Sequence, residues 1–386
     1  MFEYQKFGRF FAPVAGKMEE FAAEEFTQFG AERVDPQYRG VSFHADHETL
    51  YKIVYSTRLA SRVFAPLLTF ACHSTKYLIS TATKMDWEQI LDVDSTFAIT
   101  ASVAKSNITH SHYAALCLKD GIADHFMDKY GRRPNVDVKN PDVRLNLHIF
   151  EDRAVISLDL CGDALHKRGY RTQALLAPMQ ETLAAAMVTL TKWDGETTLW
   201  DPMCGAGTLL AEALMSYCHI PAQYCRKRFG FTTMPDFEPE TWERVKAETD
   251  AAIREIPQGL LRGSDLDPAA IEIAQRNLSH LPYGDRVEFV ARDYNDVESY
   301  ENATIIMNPP YGIRLETTEI VREMYKEFGN FLKKRCNGTV AWIFVGDRSL
   351  RKAFGLKPSQ GTILANGSLE GELLKIESFR MTFRRD

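Results

Sequence analysis

Apolar and polar positions along this chain follow two different rhythms. In its first part, short stretches of alternating character are interleaved with helical stretches. Arg9 to Val14 predicts a strand. Met18 to Phe29 predicts an amphipathic helix that stops at Gly30. Val41 to His44 predicts a strand, and Glu48 to Leu59 a helix. A second unit of the same kind starts near Thr75. It contains a strand over Phe97 to Ala104 and a helix over Tyr113 to Tyr130 that Gly131 closes. Arg144 to Phe150 and Ala154 to Leu160 predict a hairpin around Glu151-Asp152-Arg153.

From about Thr172 strands alternate with longer helices. Helices are predicted over Thr182 to Leu190, Leu209 to Tyr217 and Ala269 to Leu278. Strands are predicted over Thr197 to Trp200, Leu260 to Gly263, Val287 to Ala291, Thr304 to Met307 and Val340 to Val345. Such alternation builds a mostly parallel sheet covered on both faces. The end breaks the rhythm: Thr362 to Ala365, then Asn366-Gly367, then Gly371 to Phe379. Asn-Gly between apolar runs predicts a hairpin with a type I′ turn. The predicted class is α/β, a doubly wound sheet closed by an antiparallel hairpin, as in class I methyltransferases, behind an α+β N-terminal region.

Composition narrows the field. At 386 residues, the chain is long enough for two or three domains. No apolar run is long enough to span a bilayer. Met1-Phe2-Glu3-Tyr4-Gln5-Lys6 lacks the basic start and apolar run of a secretory signal. Seven cysteines, an odd number with no CxxC pair, fit free thiols in the cytoplasm, and the spacing of Cys218 and Cys225 is too wide for a zinc knuckle. No metal site is expected. Without a secretion signal, the Asn-x-Ser/Thr matches at Asn107, Asn302, Asn337 and Asn366 carry no meaning. A net charge of −6 argues against coating nucleic acid by bulk charge, and it leaves room for a local basic patch.

The turn after the first strand of the second half reads Asp201-Pro202-Met203-Cys204-Gly205-Ala206-Gly207-Thr208. Glycines let backbone approach a ligand closely, and the following helix aims its N–H groups at it. Neither a P-loop Lys-Ser/Thr nor a GxGxxG is present. A tight structural turn explains the glycines equally well. The next strand tip adds Gly263-Ser264-Asp265-Leu266-Asp267-Pro268. An acid there can accept both hydroxyls of a ribose, and Asp265 is the candidate. Asp267 reads as an N-cap with Pro268 at the first helical position. At the third tip, Arg292-Asp293-Tyr294, Asp293 can accept from an adenine amino group or be a plain loop carboxylate. The candidate cofactor set is Asp201, Pro202, Cys204, Gly205, Gly207, Thr208, Asp265, Leu266, Asp293, Tyr294 and Asn308, with S-adenosyl-L-methionine as the cofactor. Gly207 and Asp265 lie much further apart than the ~20 residues of a dinucleotide unit, so Cys218 to Pro257 must be an insertion. Its Arg226-Lys227-Arg228 is a candidate substrate contact or a solvated surface run.

The fourth strand ends in Asn308-Pro309-Pro310-Tyr311-Gly312. An exocyclic base amine is a poor nucleophile because its lone pair is delocalised into the ring. The Asn308 side-chain carbonyl and the Pro309 carbonyl can accept its two N–H bonds and favour the positive charge that develops. Prolines hold the backbone rigid, and Tyr311 can stack on a flipped base. Asn308, Pro309, Pro310 and Tyr311 are therefore the candidate catalytic residues. Neither metal nor covalent nucleophile is needed; positioning does most of the work.

Together these three motifs resemble those of THUMP-domain class I methyltransferases, most nearly the bacterial 23S rRNA guanine-N2 methyltransferases. The resemblance extends to His110-Ser111-His112-Tyr113, Leu118-Lys119-Asp120, Gly162 to Arg171, Ala177 to Ala184, the segment after Tyr217 and Asn366 to Glu370. It implies a ferredoxin-like unit over 1–68, a THUMP RNA-binding unit over 69–165 and a Rossmann-like catalytic domain over 166–386. It implies methylation of guanine N2 in 23S rRNA, with RNA as partner and neither membrane nor obligate protein partner. Some members of the family carry a second methyltransferase C-terminally; with one here, a single modification is expected. Lys105, Lys119, Lys129, Arg132, Arg133 and Lys139, with Lys167, Arg168 and Arg171 at the junction, are candidate phosphate contacts or ordinary surface charge. Guanine N2 of tRNA, adenine N6 of DNA and a protein glutamine are alternative targets of the same chemistry, and a decayed RNA-binding protein is the non-catalytic alternative.

Overall fold

The computed structural model describes residues 1–173, 179–310, 318–366 and 369–377. Its contacts divide the chain into two compact units. One comprises Met1–Val14, Ala22–Leu165 and Arg226–Glu248; the other comprises Ala15–Phe21, His166–Cys225 and Thr249–Asp386.

The first unit begins with α1 (Glu3–Phe7), β1 (Arg9–Pro13), α2 (Glu19–Gln28), β2 (Glu32–Gln37), β3 (Gly40–His44) and α3 (His47–Ser56). It continues with β4 (Phe64–Ala71), α4 (Thr75–Thr83), β5 (Thr96–Ala104), α5 (Ser111–Tyr130), β6 (Asn135–Val136), β7 (Val143–Phe150) and β8 (Arg153–Asp159). One eight-stranded sheet in the order β2-β3-β1-β4-β8-β7-β5-β6 runs through it. Strand β4 joins its two halves by pairing with both β1 and β8. The expected boundary at 68/69 falls inside this strand.

Two strands went unpredicted for identifiable reasons. The edge strand β2 is polar and mostly exposed, so no alternation marks it. In β4 a proline argues against a central strand. The ladder steps around it, pairing Pro66 with Ser157 and then Leu68 with Ile156. The β7–β8 turn is formed by Glu151 and Asp152, both at positive φ (50° and 55°), and Arg153 already pairs with Phe150.

The segment read as an insertion packs into this first unit. Phe229, Phe231 and Trp242 cluster with Tyr51 and Tyr55, the Tyr51 and Phe231 rings being 4.7 Å apart. His47 sits between Asp236 (3.4 Å) and Glu238 (2.8 Å), and the Tyr4 hydroxyl donates to Asp236 at 2.6 Å.

The second unit runs α6 (Glu181–Thr191), β9 (Leu199–Asp201) and α7 (Thr208–Tyr217). After α8 (Pro239–Ala251), which straddles the division, come β10 (Leu261–Asp265), α9 (Pro268–Leu278), β11 (Glu288–Ala291), β12 (Thr304–Met307), α10 (Thr318–Arg335), β13 (Val340–Val345), β14 (Gln360–Asn366) and β15 (Leu369–Glu377). Its seven strands are ordered β11-β10-β9-β12-β13-β15-β14, parallel except where β15 runs against β13 and β14. Strand order reverses between β9 and β12, and at such a switch point the carboxyl ends of the strands open a crevice for ligands. The closing hairpin pairs Asn366 with Leu369, so its loop is Gly367-Ser368 rather than the expected Asn-Gly; those two residues lie outside the described ones. Helix α10, absent from the predicted elements, buries Val321, Tyr325, Phe328, Phe331 and Leu332 against Trp200, Tyr294 and Ile305. Among the described residues, no helix is long and apolar enough to cross a membrane.

Candidate active site

The turn after β9 is held in shape by its own side chains. Asp201 is buried, and its carboxylate accepts the Met203 N–H at 3.1 Å. Burial pushes its carboxyl well up, and the neighbouring Asp265 charge adds to this. Asp201 thus acts on the turn rather than presenting a charge to solvent. The Cys204 thiol is buried and likewise raised by burial, so it is a poor nucleophile. Its N–H donates to the Ser264 carbonyl at 2.9 Å, tying the turn to β10. Gly205 and Gly207 both take positive φ, 51° and 77°. At Gly207 a Cβ would also come within 2.9 Å of Leu278 Cδ1 and 3.1 Å of Ala274 Cβ. Glycine there lets α7 start hard against α9, with the N–H groups of its first turn at the mouth of the crevice.

Asp265, at the tip of β10, reaches the same turn. One carboxylate oxygen accepts the Gly205 N–H at 2.9 Å and the other the Asp267 N–H at 3.0 Å. Each oxygen keeps a second lone pair, so the group can still accept ribose hydroxyls. Asp267 caps α9 through Ala269 N–H at 2.9 Å, with Pro268 in the first turn, as its sequence context predicts. Leu266 stands 73% exposed at the tip, an apolar surface beside the turn. Asp293, half-buried after β11, caps a short turn through the Asn295 N–H at 2.8 Å and keeps its other oxygen for a ligand. Tyr294 differs from expectation: its ring is buried edge-on against Phe328 (5.1 Å) and Phe331 (5.3 Å), and burial pushes its hydroxyl up to about 12. Its side chain belongs to the core.

Asn308 follows β12 directly and is half-buried; Pro309 is buried and Pro310 exposed. The Tyr325 hydroxyl from α10 approaches the Pro310 carbonyl at 3.5 Å, its ring stacked on Phe354 at 4.5 Å. Tyr311 lies outside the described residues. The turn after β9 and the start of this motif flank the switch point, since β9 and β12 pair in register through Trp200 and Ile305.

The chain also uses residues that the motifs did not single out. Asn277 of α9 is fully buried. Its amide carbonyl accepts the Thr172 N–H at 3.1 Å, and its NH₂ donates to the Gln173 (3.1 Å) and Ala206 (3.2 Å) carbonyls. It ties the segment entering the unit to the glycine turn. A buried Asn inside an amphipathic helix is the signal that could have found it. The Trp200 indole N–H, buried below the turn, donates to the Ser264 hydroxyl at 3.0 Å.

The basic residues divide sharply. Arg168 is fully buried and paired with Glu212 at 3.1 Å. Arg171 donates to the Met179 carbonyl and to Thr208 Oγ1, both at 2.9 Å. Neither is a phosphate contact, which corrects that reading of the junction; Lys167 there is exposed. Arg226 donates to the carbonyls of Cys161 (3.1 Å), Asp163 (3.0 Å) and Ala164 (2.8 Å), so it fastens its own unit, while Lys227 and Arg228 are exposed. Lys105, Lys119, Lys129 and Arg132 pair with Glu151, Asp120, Glu88 and Asp94. Such surface pairs are weak and can be exchanged for phosphate. Arg133 and Lys139 are exposed. Among the described residues no cluster of His, Cys, Asp and Glu could hold a metal, and all seven cysteines are free thiols.

Strand order, glycine turn, acidic second tip and Asn-Pro-Pro after the fourth strand define a class I, S-adenosylmethionine-dependent methyltransferase. Comparison with known proteins agrees: an RMKL-like methyltransferase domain matches residues 168–375, a THUMP domain 73–159 and an RlmL ferredoxin-like domain 9–64. The chain belongs to this family of THUMP-domain methyltransferases. It is 36% identical, over 96% of its own length and 97% of the other's, to a Synechocystis sp. protein provisionally named an RNA methyltransferase. It is 34% identical over 97% of its length to a ribosomal RNA large subunit methyltransferase K/L of Syntrophotalea carbinolica, spanning only 54% of that protein. Among solved structures, a protein provisionally described as a methyltransferase and crystallised with S-adenosylhomocysteine superposes with a TM-score of 0.83, at 26% identity, over 96% of this chain and 98% of that one.

Proposed function

We propose that this chain transfers a methyl group from S-adenosylmethionine to the exocyclic N2 of a guanine in 23S rRNA. The observation that carries the reading is the placement of Asn308-Pro309-Pro310 at the end of β12, across the switch point from the glycine turn after β9. The residues present fit the cofactor. Gly205 and Gly207 leave backbone room, and the first turn of α7 offers N–H groups. Asp265 suits the ribose, Leu266 and Asp293 the adenine. Bound there, S-adenosylmethionine supplies an electrophilic methyl group. Asn308 and the Pro309 carbonyl accept the target amine's two N–H bonds, orient its lone pair and stabilise the charge that nitrogen gains. Tyr311 stacks on the base. The final proton loss needs no dedicated base, because the methylated amine is strongly acidic while it carries the charge.

On this reading residues 1–68 and 69–165, together with the segment 226–248 that folds with them, grip structured RNA, and the rest of 166–386 performs the chemistry. The K/L relative supports ribosomal RNA as the substrate. Purified full chain, given tritium-methyl S-adenosylmethionine and separate rRNA, tRNA, DNA and protein fractions, should label 23S rRNA, and Asn308→Ala should abolish most of that label. Label confined to tRNA, DNA or protein would refute the substrate assignment, and label unaffected by Asn308→Ala would refute the site.

A further inference from the structure

Arg171 is held where a cation is electrostatically out of place. Its Nη2 donates to Thr208 Oγ1 at 2.9 Å, and Thr208 is the first residue of α7. The same nitrogen donates to the Met179 carbonyl at 2.9 Å, two residues before α6 begins at Glu181. Helix N-termini carry the positive end of the backbone dipole, so a guanidinium beside them is repelled unless an anion joins it. Among the described residues the recorded anion is Glu181, 3.3 Å from Nη2. The side chain is only 13% exposed, and its Nε is buried with no partner among the described residues. An Nε–H buried without an acceptor costs free energy that an incoming oxygen would recover.

We infer that Arg171 binds the carboxylate of the methionine moiety of S-adenosylmethionine and fixes that end of the cofactor at the start of α7. This deepens the proposed function and rests on its assignment of the cofactor site. The geometry suits the chemistry: Thr208 closes the glycine turn, so an anion there meets the Arg171 charge and the free N–H groups of α7 together. Arg171 would select donors that retain the amino-acid end.

The test is calorimetric titration of the full chain with two ligands. One is S-adenosylmethionine; the other is its decarboxylated analogue, which keeps the sulfonium and the amine. Loss of a charge-assisted bond corresponds to about ten- to a hundredfold in affinity. Arg171→Ala should lose that much for S-adenosylmethionine and less than about threefold for the analogue. Arg171→Lys, which keeps the charge and carries the test if the alanine variant does not fold, should lose part of the same selectivity. An equal loss for both ligands would make Arg171 a prop for the turn, and no loss for either would remove it from the site; both overturn the inference. Wild type that binds neither ligand would overturn the cofactor reading itself, an outcome that no Arg171 variant can mimic.

Discussion

Removing the Asp265 carboxylate should weaken S-adenosylmethionine binding far more than it weakens the fold. In the protein without ligand, this group spends one lone pair on Gly205 N–H (2.9 Å) and one on Asp267 N–H (3.0 Å). Both bonds lie in part-exposed surroundings where water can replace the carboxylate, so Asp265→Ala should cost roughly 1 kcal/mol of stability, a fall of about 2–4 °C in Tm for a unit of this size. The ribose loses a charged acceptor that water inside a closed crevice replaces poorly. A hydrogen bond to a charged group contributes about 1.5–3 kcal/mol, so affinity should drop by about ten- to 150-fold. Asp265→Asn should fall between, because one carbonyl oxygen remains while its NH₂ faces a backbone donor. Calorimetric titration with S-adenosylmethionine, alongside thermal unfolding of each variant, separates the two effects. A folded Asp265→Ala protein with wild-type affinity would refute the ribose assignment, leaving Asp267, already committed to capping α9, as the next acid to test.

Asn308→Ala should slow single-turnover methylation by about 10²–10³ under saturating S-adenosylmethionine and RNA while the cofactor's Kd stays near wild type; a near-normal rate would remove Asn308 from the chemistry. Tyr311→Ala should cost roughly 1–3 kcal/mol in capture of the base and Tyr311→Phe much less; equal damage would show that the hydroxyl matters and not the ring. Gly207→Ala combines a left-handed backbone at φ 77° with a Cβ 2.9 Å from Leu278, so it should destabilise the second unit by roughly 2–4 kcal/mol in thermal or chemical unfolding; an unchanged midpoint would contradict the packing of α7 on α9. His47 is raised from 6.5 to about 9, first by its bond to Asp236 and then by Glu238. Its folded form therefore holds an extra proton between those values, and its stabilisation is complete below pH 6.5 and lost as pH rises through 9. Unfolding followed from pH 6 to 10 should show that loss in wild type and a flatter profile in His47→Gln.

The parts of this protein that could be read in its sequence are those where local pattern and tertiary role coincide. The strand of Thr304 to Met307 and the caps at Asp267 and Gly131 carry their own signals, and the structure repeats them. Strand β2 is a polar edge, and β4 carries a proline that only a register shift in its partner ladder makes tolerable. Both depend on neighbours that the sequence does not name. Helix α10 is a different case, because its apolar residues at 321, 325, 328, 331 and 332 repeat at helical spacing and could have been read. At the site, the motifs located the backbone of the turn but not who holds it. Asp201 and Tyr294 look like ligands in sequence because they sit at strand tips, yet burial turns one into a brace and the other into core. Arg168 and Arg171 look like surface charge, and only the positions of Glu212 and Thr208 show otherwise.

Mass mapping of nucleosides from 23S rRNA tests the account's central claim most directly. Undermethylated 23S rRNA, from cells that lack this chain, would be incubated with purified full-length protein and S-adenosylmethionine, then digested and sequenced by mass. The account predicts one new N2-methylguanosine, absent with Asn308→Ala and without S-adenosylmethionine. A methyl group on a ring nitrogen, on adenine or on a ribose, or no gain from a folded protein that binds S-adenosylmethionine, would contradict it.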